Sequence, residues 1–246
     1  MNWQERTEAA RQVALDILQP TASQLEHGLE LHAESTVCES YSLGLLAPID
    51  GDAVARVAVS GASSAELQLL TESMRMTRWA ASDDLRAEYR DAWEASGVDC
   101  AFQNAGEEGN DPLRMLGRLA HYTHLTDQMR DFVCRAAFPE DVEAVREAGR
   151  RSIVQTCNGV PLAGEQGTVE GELRYVRLFF ELGCRMMHLT YNRRNPIGDG
   201  CAEPGNAGLS DFGHAAVAEL NRQGIIIDVA HSGWQTSLET ARASSS

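Results

Sequence analysis

Residues 178–237 read LFFELGCRMMHLTYNRRNPIGDGCAEPGNAGLSDFGHAAVAELNRQGIIIDVAHSGWQTS. Two short apolar runs, CRMMHLTYN and GIIIDVAHSG, are separated by a long loop and by a stretch, 211–223, in which Phe212, Ala216 and Leu220 recur every fourth residue before Gly224. That spacing puts the three side chains on one helical face, and a glycine directly after it is a common helix stop. The order is therefore strand, helix, strand, with a further helix beginning near 233. Strands joined through a helix are expected to lie parallel, because the crossover returns the chain to the same end of the sheet.

The same texture extends upstream. RRSIVQTCNG precedes a helical stretch at 169–182, GVDCAFQNAGEEGND precedes a helix from about Pro112, and TVCESY is a first apolar run. Parallel strands are predicted near 36–41, 98–103, 152–157, 185–190 and 225–230. Five strand–helix units make an α/β fold with a parallel sheet. Before them, residues 1–35 read as helices. Ala10, Val13, Ala14, Ile17 and Leu18 share a face up to Pro20, and Thr21 or Ser23 is placed to cap a second helix through LEHGLELHAES. Residues 63–95 are helical again, with Trp79, Tyr89 and Trp93 as packing residues. The division is 1–35 for the helical region and 36–246 for the sheet.

Polar residues gather where the strands end: Glu39 and Tyr41, Gln103 and Asn104, Asn158, Tyr191 and Asn192, Asp228 and His231. In barrels and open parallel sheets alike, that edge is where ligands bind. His121 and His124 are three apart on a helix, a spacing that reads first as a solvated surface. Gly106 and Gly109 in NAGEEGND read as an acidic turn at the same edge.

Composition narrows the chemistry. The 246 residues carry 21 basic and 36 acidic side chains, a formal charge of −15, and every basic residue is Arg. A chain without lysine has no Schiff-base, pyridoxal-phosphate or P-loop lysine chemistry. Its acidity disfavours nucleic acid as a partner. MNWQERTEAARQ is polar from the start, and no apolar run reaches the ~20 residues that span a bilayer. Six irregularly spaced cysteines without a C-x-x-C pair read as buried free thiols. A cytoplasmic protein away from membranes is expected.

The segment from Leu178 to Ser237 resembles the membrane (renal) dipeptidase family of zinc peptidases. The matching elements run in order: Leu-Gly before a strand ending Leu-Thr-x-Asn, Gly-Leu-Ser-x-Phe-Gly, Glu-Leu-Asn-Arg-x-Gly, and Ile-Asp-x-x-His. GDGCAE and TYN suggest a divergent bacterial branch. The resemblance implies a parallel (β/α)8 TIM-type barrel, here incomplete, with two bridged zinc ions at the strand ends and a small peptide as substrate. It implies His231 as a metal ligand and Tyr191 as a substrate contact, where the family has a histidine. Asp228 falls within the strand and reads as a group that orients its neighbours.

Other positions depart from the family pattern. The metal-bridging glutamate falls where this chain has Cys157, Asn158 and Gly159, which leaves Asn158 as a substrate-side contact; Glu165 follows late. The His-x-Asp pair of the first strand falls on Tyr41 and Leu43. A rival register offers His32 and Glu34, in a stretch that reads as helix. One zinc at most, or none, is expected. The parent activity is metal-dependent dipeptide hydrolysis; the alternative is a metal-free small-ligand-binding or inactive homologue. Five strand units of eight are also expected to leave an apolar wall open, with self-association into a homo-oligomer as the consequence.

Overall fold

The computed structural model describes residues 3–105, 110–164 and 167–245. Gly106, Gly109 and Glu165 lie outside the described residues. The chain divides into two compact units, Met1–Val37 and Cys38–Ser246. The first unit consists of α1 (Trp3–Leu18) and α2 (Ala22–Glu34). Thr21 starts α2 with a reciprocal cap: its hydroxyl accepts from the Gln24 amide, and the Gln24 side chain accepts from the Thr21 amide at 2.9 Å. That cap satisfies two amide groups that the helix start would otherwise leave unpaired.

The second unit opens with β1 (Cys38–Ser42), followed by α3 (Gly51–Val59), α4 (Ser64–Thr77), a single 3-10 turn, and α5 (Asp83–Ser96). The helical reading of 63–95 is thus broken once, where Ser82 accepts from the Leu85 amide and caps a new start. Then come β2 (Cys100–Asn104), α6 (Pro112–Gln128), β3 (Val133–Arg135), α7 (Pro139–Glu147) and β4 (Arg151–Cys157). The chain continues with α8 (Val169–Glu181), β5 (Cys184–His188), α9 (Asp211–Gln223), β6 (Ile226–Asp228) and α10 (Trp234–Ala243).

All strand pairs are parallel, in the order β1-β2-β4-β5-β6. β4 carries β2 along one edge. On its other edge β3 pairs with its first three residues, and β5 takes over from Gln155. The sheet is an incomplete TIM-like half-barrel, as the family resemblance implied. It has six strands among the described residues rather than five, because β3 was not expected. No described helix is long and apolar enough to cross a membrane.

Helices pack on the sheet through Leu119, Leu125, Val176, Phe179, Val217 and Leu220, each no more than 3% exposed. Burying a side chain of this size contributes about 1.5–3 kcal/mol, so this face holds the strands in place. Trp79, Trp93 and Phe132 surround Tyr89 with ring centroids 5.3–6.3 Å apart. Glu72 on α4 ties itself to α6 through Arg114 at 2.6 Å and Arg118 at 2.9 Å. The cysteines are all free thiols, but their burial differs from expectation: Cys100, Cys157 and Cys184 are buried, whereas Cys38 and Cys201 are exposed. Cys38 opens β1, which among the described residues pairs on one side only.

Candidate functional site

The strand ends meet in one polar cluster. β1 contributes Tyr41, β2 Asn104, the residue after β4 Asn158, and β5 His188. Asn104 Nδ2 donates to the Tyr41 hydroxyl at 2.7 Å, and that hydroxyl donates to Asn158 Oδ1 at 3.3 Å. The Tyr41 ring lies against His188 with centroids 5.3 Å apart, so it reaches across the sheet from one edge strand to the far half. Asn158, Asn104 and His188 are buried. Buried amides are stable only when hydrogen-bonded, and the phenol serves both.

On the other side, His188 Nε2 lies 2.7 Å from Asp228 Oδ2 at the end of β6. Asp228 also accepts from the Ala230 amide at 2.7 Å. Burial alone would raise its carboxyl; the His188 contact and the Ala230 amide, with His231 nearby, outweigh this and hold it below the usual range. Asp228 and His188 are thus in close contact, although neither ring nitrogen of His188 has hydrogen-bond geometry to a partner.

His231 is exposed and stacks on Tyr191 with centroids 4.1 Å apart, 6.1 Å from the His188 ring. Its Nδ1 is 2.9 Å from Asn192 Oδ1. Its backbone φ of 60° is left-handed, a conformation rarely held by a residue with a side chain. Such strain persists only where surrounding contacts fix it. Here Cys201 N donates to His231 O at 2.7 Å, and Gly233 N donates to Asp199 O at 2.8 Å. The loop 193–210 is thereby fastened to the turn after β6. Gly200 permits the approach: a Cβ there would stand 2.1 Å from the Tyr191 carbonyl oxygen. Asp199 anchors the loop by accepting from Arg194 Nη2 at 3.1 Å and the Ala207 amide at 2.7 Å.

The structure therefore brings Asn158, Tyr191, Asp228 and His231 to one edge. It adds Asn104 and Tyr41 as hydrogen-bonding partners and His188 as a central ring. His188 lay unremarked within an apolar strand; its parity with Met186, which faces the same side two residues earlier, was the available signal. His32 and Glu34 are exposed on α2, in the first unit. Leu43 is exposed and lines a cavity of about 400 Å³ with Leu45 and Trp93. His121 is half-buried and His124 exposed on α6; burial, with His124 beside it, lowers the His121 imidazole.

These donors do not fit a zinc pair. Among the described residues, no three His, Cys, Asp or Glu side chains stand together as a metal-binding group. A catalytic zinc takes about three protein ligands. At this edge a phenol and an amide, Tyr41 and Asn158, are already bonded to each other.

Residues 95–246 match the family model of the membrane dipeptidases, peptidase family M19. Dipeptidase aclJ of Aspergillus oryzae (strain ATCC 42149 / RIB 40) is 43% identical over 156 residues, covering 59% of this chain and 34% of that protein. An amidohydrolase from Pseudomonas aeruginosa superposes with a TM-score of 0.63 at 23% identity, over 88% of this chain and 52% of that one. A metallo peptidase from Rhodobacter sphaeroides, liganded with a phosphinate mimic of the dipeptide L-Ala-D-Ala, has a TM-score of 0.54 at 16% identity, over 69% of this chain and 60% of that one. The match thus spans about a third of the curated relative's length and between half and three-fifths of the two solved chains.

Proposed function

The chain belongs to the membrane dipeptidase family, peptidase family M19, and from that premise we propose that its strand-end cluster takes a dipeptide-sized ligand while its metal-dependent hydrolysis has been lost or reduced to a trace. One observation carries the reading. The Tyr41 hydroxyl joins Asn104 and Asn158 into a neutral hydrogen-bonded network, and the resemblance assigns Tyr41, Leu43 and Asn158 to the places where a two-zinc hydrolase has His, Asp and Glu. Neutral amides and a phenol bind peptide carbonyls and amides well and divalent cations poorly. Tyr191, stacked on His231, adds an aromatic face to the same edge. The dipeptide mimic held by the Rhodobacter sphaeroides relative supports the ligand class.

The test pairs elemental analysis with calorimetry on the purified chain. Expected are well under one zinc per chain, measurable binding of a simple dipeptide, and dipeptide hydrolysis near background. Near-stoichiometric zinc that disappears in a His231→Ala variant restores the second reading, a working metallodipeptidase. Absence of dipeptide binding removes the peptide-site reading altogether.

A further inference from the structure

Four of the six cysteines stand as two pairs across neighbouring strands. The thiols of Cys157 and Cys184 touch in the core, with sulfurs 3.4 Å apart. Cys38 and Cys100 are direct partners in the parallel register of β1 and β2. From the second pair we propose a modification site: a dithiol that an external peroxide converts into a Cys38–Cys100 disulfide, tying the edge strand β1 to β2.

The geometry suits the bond. Direct partners on neighbouring strands sit about 4.8 Å apart, inside the roughly 4.4–6.8 Å range between Cα atoms that a disulfide spans. Paired residues leave the same face of a sheet, so both side chains point the same way. The direct register places the Cys38 and Cys100 side chains side by side on neighbouring strands.

Exposure then assigns the roles. Cys38 is open to solvent, whereas Cys100 is fully buried. Burial, with Cys38 beside it, pushes the Cys100 thiol up to about 11, which keeps it from meeting an oxidant first. Cys38 attacks hydrogen peroxide, takes one oxygen as a sulfenic acid and releases one water. The Cys100 thiol then attacks the sulfenic sulfur, forms the S–S bond and expels a second water. The two thiols together give up two electrons and two protons, and one peroxide becomes two waters.

The other pair is a built-in control. Cys157 and Cys184 are both buried, and the neighbouring Cys184 thiol together with burial raises the Cys157 thiol. Contact alone therefore does not make a reactive pair; one member must reach solvent.

The consequence for the site follows from position. Tyr41, which holds Asn104 and Asn158, lies three residues after Cys38 on the same strand. A cross-link at the start of β1 pins an edge strand whose register to β2 is otherwise irregular between Glu39 and Ser42.

The test treats the purified chain with hydrogen peroxide, then alkylates it under denaturing conditions and maps non-reduced peptides by mass spectrometry. A Cys38–Cys100 peptide is expected, with Cys157 and Cys184 still alkylated. Closing so long a loop should raise Tm by about 5 °C, reversed by dithiothreitol. Cys38→Ser should abolish cross-link and shift, while Cys201→Ser should retain both. A Cys157–Cys184 cross-link forming first, oxidation of Cys38 with Cys100 left free, or no cross-link at all overturns the proposal.

Discussion

Tyr41 and Asn158 meet through one hydrogen bond although they belong to different strands of the sheet. Both sit at strand ends, where the backbone is fixed by the sheet and only the side chains vary. If their positions are those of the family's metal donors, a Tyr41→His, Leu43→Asp, Asn158→Glu variant should gain bound zinc relative to the parent chain. Elemental analysis checks this; a folded variant with no gain means the register is wrong. Asp228 gives a second test at this scale. Its carboxyl is held below its ordinary value of 3.8, so its stabilising contact is fully present above that pH and lost as pH falls through the lower folded value. Asp228→Asn should therefore cost about 1 kcal/mol at pH 7 and less at an acidic pH below the lowered folded value. Urea melts at the two pH values decide it, and an equal loss at both would falsify the pairing with His188. The strand-end residues Tyr191, Asp228 and His231 were legible because short motifs surround them. The Tyr41–Asn158 bond was not, because it joins residues 117 positions apart that no local pattern relates. His188 was hidden for a different reason: a buried imidazole within an apolar strand has no sequence mark except alternation.

Elements were legible where the apolar period was long enough to repeat. Phe212, Ala216 and Leu220 with Gly224 gave α9 its bounds, and the structure places it at Asp211–Gln223 with Gly224 in the left-handed region. Pro112 likewise opens α6, where a missing amide costs nothing. β3 escaped because three residues, Val133–Arg135, are too few to show alternation. The nine residues of α7 follow it so closely that the segment 133–147 carried no recognisable unit. The loop between β5 and α9 could not be read at all, since its form depends on contact with the turn after β6. Gly200 is its critical point. Replacing it with alanine puts a Cβ 2.1 Å from the Tyr191 carbonyl oxygen and 2.4 Å from the Asn192 carbonyl carbon, so backbone must move. Gly200→Ala should destabilise by about 2 kcal/mol and weaken dipeptide binding by displacing Tyr191 and His231. Thermal melts and calorimetry test both; an unchanged melt with unchanged binding means that the loop does not fix the site.

Among the described residues the run of strands is bounded by β1 and β6, each of which pairs on one side. Near β6, Ile226 is 52% exposed, Val229 37% and Trp234 75%. An edge with free backbone groups and apolar side chains is a template for pairing with another chain. Against this stands a formal charge of −15, which repels a second copy. The two effects respond differently to salt. At ~0.1 M ionic strength the screening length is about 10 Å, so repulsion between exposed charges fades while apolar attraction remains. The isolated chain should therefore self-associate, and more strongly as salt rises. Ile226→Lys adds a charge to the edge and removes an exposed apolar group, a device by which edge strands avoid pairing. It should shift the population towards monomer with little change in Tm, because the replaced side chain already faces solvent. Light scattering across concentration and salt gives the answer: a parent chain that stays monomeric throughout, with a cooperative melt, means that the sheet tolerates its open edges unaided.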